Sequence, residues 1–529
     1  MSAARCVMVL GTTSGAGKSW LATALCRWYA RQGLKVAPFK AQNMSNNARV
    51  VPGRAGAPGE IGSAQYFQAL AARAEPEVRM NPVLLKPERD TGSQVIVLGE
   101  VRRDLAAVPW RERSAVLWPH ARDALRALRA EHEVIVIEGA GSPAEINLAS
   151  SDYVNLRTAH EAQAACLLVA DIDRGGAFAH LYGTHRLMPA PERALLRGFV
   201  LNRFRGDATL LAPGPEQLEA LTGVPTVAVL PMWRGHGLPE EDGLHDAAEG
   251  SLADGGTPPP RGAAAATTPL RAADAVAPPL RAAGDDEPAL RIAVVAYPRI
   301  SNLDEFQPLR GLPGVQLAWA RTPAALAGCD WIVLPGSKHS ASDLAWLRAQ
   351  RLDGAIARHA AAGRPVLGLC GGLQMLGEAL VDPLGVESVD AGGADTSTPG
   401  LGLLPIATRF ERDKRLLRSR ARFGELQGPW AALSNLAFDG YEIHHGRSLP
   451  LPEAPALRAV LRNAEGTVLG WQHGPVLGLY AHGLFESPAV LRALFGAAAR
   501  PLDGVFDGLA DYIDKLFAPG VLNGLLEPR

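Results

Sequence analysis

The sequence predicts an α/β protein with two open, mainly parallel-sheet domains, and three observations indicate this fold class. The chain has 529 residues, 47% of them hydrophobic, which is too long for one ordinary domain and too apolar for a disordered chain. On both sides of residues 234–289, short apolar runs alternate with helical stretches, as in parallel sheets covered by helices. That central segment is Ala/Pro-rich and lacks the apolar side chains to form a core, so we expect a disordered linker.

The expected division is therefore residues 1–233, a flexible linker over 234–289, and residues 290–529. In open parallel sheets, ligands bind at the carboxyl ends of the strands, so the residues that follow each strand are the candidates for function. The predicted strands are 6–10, 35–39, 94–98, 134–137, 165–170, 198–201 and 226–230 in the first half, and 291–296, 315–319, 331–334, 365–369 and 476–480 in the second.

Composition and charge exclude several classes of partner. The 53 Lys and Arg residues nearly balance the 54 Asp and Glu residues, so the chain has no basic surface for nucleic acid or an anionic membrane. The five cysteines form no C-x-x-C pair, which argues against a disulfide framework and a structural zinc site. No apolar run reaches the roughly 18–20 residues of a membrane span. We expect a soluble, cytoplasmic protein that binds small molecules, and the sequence leaves its oligomeric state open.

A phosphate-binding loop follows the first predicted strand. Residues 11–19 read Gly-Thr-Thr-Ser-Gly-Ala-Gly-Lys-Ser and lead into a helical run, which is the setting of a nucleotide site. Glycines let backbone N–H groups close on phosphate oxygens, Lys18 can reach the β and γ phosphates, and Ser19 can hold Mg²⁺. The strict pattern has glycine at position 12, where this chain has threonine. The predicted ATP-binding residues are Thr13, Gly15, Gly17, Lys18 and Ser19.

Two carboxylates are candidates to hold Mg²⁺ together with Ser19. Glu138 ends a fully apolar strand, and a side chain there points from the carboxyl edge of the sheet towards the loop. The alternative for Glu138 is a solvated residue at a strand end. Glu60 precedes a helical stretch after a long polar loop and is the second candidate.

A nucleophile is predicted in the second half. Cys370 lies in the pattern G-x-C-x-G between a buried strand and a helix, where glycines allow the sharp turn of a nucleophile elbow. The alternative is an ordinary buried cysteine, which suits the other four cysteines. A thiol needs a base, and His482 at the end of a late apolar strand is the best candidate. His444 and His445 are left as residues that either support the site from behind or contact the substrate.

Attack of the thiol on an amide would require two donors for the resulting oxyanion. Gly371 can supply one backbone N–H group. The other is expected from the turn at Gly336, which follows the predicted strand 331–334.

Together these segments resemble the cobyric acid synthase family. The resemblance includes the phosphate-binding loop, Lys40 at a strand end, and the motifs at 138–141, 171–176 and 202–207, and it covers almost the whole chain except the linker. The N-terminal half is similar to dethiobiotin synthetase, which implies that Lys40 contacts the activated carboxyl group and that Asn202 faces the adenine.

The second half resembles a class I glutamine amidotransferase domain. In most such domains a glutamate that orients the histidine follows it two residues later, but this chain has Leu484 there. The third member of the site is therefore open, with Glu486 or a residue from elsewhere as candidates.

The resemblance implies an ATP- and Mg²⁺-dependent ligase in which ammonia, released from glutamine at Cys370, attacks an acyl phosphate. The implied acceptor is a corrinoid polycarboxylate, adenosylcobyrinic acid a,c-diamide, amidated at its b, d, e and g carboxylates to give adenosylcobyric acid. With no global positive charge, the protein must hold this acceptor by local groups such as Lys40 and Lys86. The alternatives are a cobyrinic acid a,c-diamide synthase, or a non-catalytic P-loop ATPase switch or binding protein with an inactive glutaminase domain.

Overall fold

The computed structural model describes residues 4–89, 92–105, 108–239, 290–387, 396–454 and 456–527. Most of the predicted linker, residues 240–289, lies outside the described residues. Within the described part of the chain, no helix is both long enough and apolar enough to cross a membrane.

The first half contains twelve strands among its described residues. They are β1 Arg5–Gly11, β2 Val36–Phe39, β3 Asn43–Met44, β4 Ala48–Pro52, β5 Pro58–Gly62, β6 Val83–Arg89, β7 Gly92–Val97, β8 Glu100–Val101, β9 Val134–Glu138, β10 Ala165–Asp171, β11 Leu196–Phe204 and β12 Thr226–Pro231.

Six of these strands form a parallel sheet in the order β12-β11-β10-β1-β9-β2. Strands β9 and β10 are buried along their whole length, as their unbroken apolar sequences require for a sheet covered on both faces. The predicted strand 94–98 also forms, as β7, but it belongs to a separate sheet with β3, β6 and β8. Its apolar pattern could not show which sheet it joins.

The second half has thirteen strands among its described residues. They are β13 Leu290–Val295, β14 Ile300–Ser301, β15 Val315–Ala320, β16 Trp331–Leu334, β17 Gly336–Ser337, β18 Val366–Leu369, β19 Ala379–Asp382, β20 Thr396–Pro399, β21 Ile406–Phe423, β22 Ala437–Pro450, β23 Arg458–Arg462, β24 Val468–His473 and β25 Val476–Leu479.

The predicted parallel sheet of the second half is confirmed, and it is larger than expected. Its parallel part runs β15-β13-β16-β18-β25. Beyond β25 the sheet continues through antiparallel pairs to the long hairpin β21–β22. This hairpin was not predicted from the sequence, because its strands carry many charged residues. The hairpin packs against β4 and β5 of the first half and joins the two halves.

Helices cover the two sheets. They are α1 Lys18–Arg31, α2 Ser63–Ala71, α3 Trp110–Glu131, α4 Leu156–Ala162, α5 Ala177–Leu187, α6 Ala190–Arg193, α7 Gly214–Thr222, α8 Gln307–Arg310, α9 Pro323–Leu326, α10 Ser340–Ala349, α11 Leu352–Ala361, α12 Gly371–Leu376, α13 Pro488–Phe495, α14 Leu502–Leu516 and α15 Val521–Gly524.

The C-terminal helix α14 packs against α1 of the first half. Its apolar residues Phe506, Leu509 and Ile513 are buried in the same core as the apolar face of α1. Arg27 of α1 is also buried and pairs with Asp503 and Asp507 at 2.9 and 2.8 Å. The C-terminal segment thus completes the core of the first half, although the expected division grouped it with the second.

Candidate active sites

The phosphate-binding loop lies between β1 and α1, at the carboxyl edge of the parallel sheet. Gly17 has a φ of 100°, and a Cβ there would lie 2.0 Å from the amide nitrogen of Asn202, so only glycine fits. The ammonium group of Lys18 donates to the carbonyls of Thr13 and Gly141, at 2.8 and 3.1 Å. The structure therefore brings Lys18 across the loop, where it can meet a bound phosphate.

Glu138, at the end of β9, lies directly beside this loop. Its Oε1 accepts hydrogen bonds from Ser19 Oγ at 2.8 Å and from Lys40 Nζ at 2.7 Å, and its Oε2 accepts one from Gln68 Nε2. Burial would raise the pKa of Glu138, but the Lys40 ammonium and the hydrogen bonds outweigh burial and lower it. A charged carboxylate next to a hydroxyl is a donor set that suits Mg²⁺.

Glu60, the other predicted metal ligand, does not join this group. Its two carboxylate oxygens accept from Lys86 and Lys414, and its side chain is fully buried. Burial would raise the pKa of Glu60, but the two lysines outweigh it and hold that pKa at about 2. The two carboxylates that were predicted to share Mg²⁺ thus have different partners in the structure: Glu138 pairs with Lys40, and Glu60 pairs with a lysine from each half of the chain.

Asn202 lies beneath the phosphate-binding loop. Its Nδ2 donates to the carbonyl of Ala16 at 2.9 Å, and its Oδ1 accepts from the backbone N–H of Arg203 at 2.9 Å. These contacts hold the loop to the end of β11. The contact of Asn202 with adenine remains a prediction.

Cys370 occupies the turn between β18 and α12 with a φ of 49° and a ψ of −105°, which is a strained conformation for a residue other than glycine. Glycine is required two residues before and two residues after Cys370, as the predicted elbow demands. A Cβ at Gly368 would lie 2.4 Å from Leu376, and a Cβ at Gly372 would lie 1.9 Å from the carbonyl oxygen of Leu334. The backbone thus has the geometry expected of a nucleophile elbow.

His482 is buried and lines the same cavity as Cys370, whose thiol lies 3.5 Å from the carbonyl oxygen of Ile443. Nδ1 of His482 lies 3.2 Å from Oε1 of Glu305. Burial alone would lower the pKa of His482, but Glu305 and Cys370 raise it to about 10. The ring is therefore held as an imidazolium at neutral pH, and it can balance the negative charge of a thiolate.

Glu305 was not among the residues predicted from the sequence. It lies in a 3-10 helix, Leu303–Phe306, about 180 positions before His482, and no spacing rule connects the two. Glu486, the nearer candidate, instead forms a 2.6 Å ion pair with Arg49. The sequence offered one weak signal, namely that two adjacent acidic residues, Asp304 and Glu305, follow the predicted strand 291–296.

The predicted oxyanion residues flank Cys370 and His482. A Cβ on Gly371 would lie 2.7 Å from the backbone nitrogen of Ser337, and one on Gly336 would lie 3.1 Å from the His482 ring. The turn after β16 and the start of α12 therefore lie in contact beside Cys370 and His482. Their role as oxyanion donors remains a prediction.

A polar cavity opens beside Cys370 and is lined by both halves of the chain. Asn46 and Lys86 come from the first half, and Lys338, Lys414 and His445 from the second. Burial lowers the pKa of Lys414 to about 7, although Glu60 opposes this shift. Lys86, expected to hold the acceptor, therefore lies in the cavity of the cysteine centre and pairs with Glu60.

Comparisons with known proteins define first the class and then the family. Residues 7–235 match the CobQ/CobB/MinD/ParA nucleotide binding domain, and residues 291–490 match the CobB/CobQ-like glutamine amidotransferase domain. The protein is thus a glutamine amidotransferase with a nucleotide-binding unit that uses ATP.

Three curated relatives match over the full length of the chain, and each is called cobyric acid synthase. The chain is 71% identical to that of Methylibium petroleiphilum, with 99% of this chain and 97% of the relative covered. It is 68% identical to that of Leptothrix cholodnii (100% and 98% covered) and 65% identical to that of Variovorax paradoxus (99% and 99% covered). The chain belongs to the cobyric acid synthase family.

Proposed function

We propose that this protein amidates the b, d, e and g carboxylates of adenosylcobyrinic acid a,c-diamide, using ATP and glutamine, to give adenosylcobyric acid in cobalamin biosynthesis. The observation that carries this proposal is the pairing, in one chain, of a phosphate-binding loop with a cysteine–histidine centre. The phosphate-binding loop would let ATP activate a carboxylate, and the cysteine–histidine centre would release ammonia from glutamine. Amidation that depends on glutamine therefore needs both centres. The full-length relatives support the choice of a corrinoid acceptor.

In the nucleotide centre, Lys18 would contact the β and γ phosphates, and Ser19 and Glu138 would hold Mg²⁺. The metal would neutralise the charge of the phosphates during transfer. Lys40, which lies 2.7 Å from Glu138, would bind the acceptor carboxylate close to the γ phosphate. Phosphoryl transfer makes an acyl phosphate, which is needed because a carboxylate oxygen is a poor leaving group.

In the cysteine centre, the Cys370 thiolate would attack the side-chain carbonyl carbon of glutamine. Backbone N–H groups at Gly371 and in the Gly336 turn would stabilise the oxyanion, and the His482 imidazolium would protonate the departing ammonia. Water then hydrolyses the thioester and releases glutamate. Ammonia displaces phosphate from the acyl phosphate to give the amide.

The proposal divides the chain into an ATP-dependent amidoligase unit within residues 1–233 and a glutaminase unit within 290–529, joined by 234–289. The packing of α14 against α1 supports counting residues 502–516 with the first unit. We further propose a cytoplasmic location, which the five free cysteines support because thiols persist in reducing compartments.

Mass spectrometry of the corrinoid product tests the proposal. The purified protein is incubated with ATP, Mg²⁺ and glutamine, and with either adenosylcobyrinic acid a,c-diamide or cobyrinic acid as the acceptor. We expect four replacements of hydroxyl by amino groups on the a,c-diamide. Two replacements on cobyrinic acid and none on the a,c-diamide would instead favour a cobyrinic acid a,c-diamide synthase. ATP hydrolysis without any amide would favour an ATPase switch.

A further inference from the structure

The loop that carries Glu305 is held by residues of the other half of the chain. Leu303 donates its backbone N–H to Oδ1 of Asn47 at 3.0 Å. The side chain of Asn302 donates to the carbonyl of Ala48 at 3.2 Å and to the hydroxyl of Tyr441 at 2.8 Å. The carboxylate beside His482 is therefore positioned partly by β4 and the residue before it.

Arg49 is the charged centre of this contact. Its side chain is 2% exposed, and its guanidinium pairs with Asp304 and, at 2.6 Å, with Glu486. Asp304 is almost completely buried. Removing a charged partner from a buried carboxylate is strongly unfavourable, so a change at Arg49 must move Asp304 or leave it without its counter-charge.

Two short paths lead from Arg49 to His482. Along the backbone, Asp304 is adjacent to Glu305, which contacts Nδ1 of His482. Through the rings, the Arg49 guanidinium lies over Tyr441 at 4.9 Å, and Tyr441 stacks on His482 with ring centroids 5.2 Å apart. Glu305, whose carboxylate contacts the imidazole, is therefore next to a residue that pairs with Arg49. Tyr441, whose ring stacks on the imidazole, contacts Arg49 directly.

The same part of the first half also reaches the nucleotide centre. Strand β4 pairs with β5, and β5 leads into α2. At the start of α2, Ser63 Oγ lies 3.4 Å from Oδ1 of Asp304. Further along α2, Gln68 donates to Glu138 beside the phosphate-binding loop. Helix α2 thus touches a residue of each centre.

We propose that Arg49 is a positioning residue of the glutaminase centre, through which the nucleotide-binding half holds Glu305 and His482 in their active arrangement. The proposal rests on the proposed function only in taking Cys370 and His482 as the glutaminase pair. Its chemical basis is that an imidazolium needs its carboxylate in place to stay protonated opposite the thiol. Without Arg49, the Cys370 nucleophile should stay in place, but Glu305 should no longer keep the His482 imidazolium in its active position.

The experiment compares Arg49→Met with Arg27→Met in the full-length protein. Arg27 is a matched control because it is equally buried and paired with two aspartates, but it lies between α1 and α14, away from the cysteine centre. For each variant, glutamate release is measured as kcat and KM over a range of pH. Amidation with added ammonia is measured separately on the same preparations.

For Arg49→Met we expect kcat for glutamine hydrolysis to fall about 10- to 100-fold, since the acid is weakened and not removed. The alkaline limit of this activity, which is the pH above which glutamine hydrolysis declines, should move down by about one pH unit or more. The reason is that the pKa of His482 returns towards its ordinary value of about 6.5. KM for glutamine should change little, and amidation with ammonia should stay within about twofold. Arg27→Met should leave the alkaline limit where it is.

Arg49→Lys keeps the positive charge without the planar fork, and it should recover part of kcat and of the alkaline limit. The proposal is overturned if a folded Arg49→Met protein has the kcat and pH profile of the parent protein. It is also overturned if Arg27→Met shifts the alkaline limit equally. Failure of the corrinoid proposal would appear differently, as no amidation with ammonia in the parent protein, while glutamate release would still test Arg49.

Discussion

The two centres differ in how the chain assembles them. In the nucleotide centre, Lys18, Ser19, Lys40 and Glu138 follow strands of a single parallel sheet and meet at its carboxyl edge. In the glutaminase centre, Cys370 and His482 also follow neighbouring strands, but the third member comes from a loop that the other half holds. The first centre is complete within one half, whereas the second depends on the interface.

Both centres nevertheless contain a buried pair of an acidic and a basic side chain. In each, one buried acid pairs with one buried base: Glu138 with Lys40, and Glu305 with His482. An unpaired charge at such a depth would be costly, so each buried group has a partner of opposite charge beside it. The difference is therefore in which part of the chain positions the pair.

The largest effect should come from Cys370→Ala. We expect glutamine-dependent amidation to fall by more than about 10⁴-fold, because no other group forms the thioester, while amidation with added ammonia persists. Mass spectrometry of the corrinoid with each nitrogen source measures both. Cys329→Ala, which changes another buried cysteine of the same half, is the control and should keep both activities. Full activity with glutamine in Cys370→Ala would show that the nucleophile is misassigned.

Lys18→Ala should reduce amidation with glutamine and with ammonia alike, by about 10²- to 10³-fold, because it removes a cation that stabilises the transferring phosphoryl group. The same product assay applies, together with release of inorganic phosphate. Lys35→Ala, at an exposed lysine just before β2, should have no effect. If Lys18→Ala kept its ammonia-dependent activity, the two centres would not divide the reaction as proposed.

Glu305→Gln should reduce kcat for glutamine hydrolysis by about 10- to 100-fold while keeping the shape of the side chain. Burial lowers the pKa of His482, but the Glu305 carboxylate and Cys370 together raise it to about 10, so without Glu305 the imidazolium is lost at lower pH. The defect should therefore grow as the pH rises from 7 to 9, which a pH profile of glutamate release measures. A defect independent of pH would contradict this account, and Glu465→Gln, on an exposed loop, is the control.

Phe506→Ala should have the smallest effect on catalysis and a clear effect on stability. Phe506 is 1% exposed, and losing a buried phenyl ring costs about 3–5 kcal/mol. Because α14 belongs to the core of the first half, nucleotide binding should protect the variant against thermal unfolding. Leu210→Ala, at a side chain that is 81% exposed, should leave the melting temperature unchanged. An unchanged melting temperature in Phe506→Ala would contradict the packing of α14.

Local sequence rules predicted most of the nucleotide centre. A glycine-rich loop between a strand and a helix has few alternatives, so Gly17, Lys18 and Ser19 could be placed from the pattern alone. Glu138 followed from the apolar strand that precedes it. Glu60 was assigned to the same metal without such a constraint, and the structure instead pairs it with Lys86 and Lys414.

The glutaminase centre could be predicted only in part. The elbow at Cys370 is local, since Gly368 and Gly372 fit where no larger side chain could. His482 also lies at a strand end and could be found there. Glu305 could not, because a short 3-10 helix has no period and its pairing with His482 spans 177 positions.

The sequence by itself determined the parallel strands of the two main sheets, the phosphate-binding loop and the cysteine elbow, because these depend on side-chain period and on glycine at fixed offsets. Only the tertiary structure decided which acid meets which base. Buried charges are paired with whatever opposite charge folding brings within reach, and here folding brings Arg49 to Asp304 and Glu305 to His482 from distant parts of the chain.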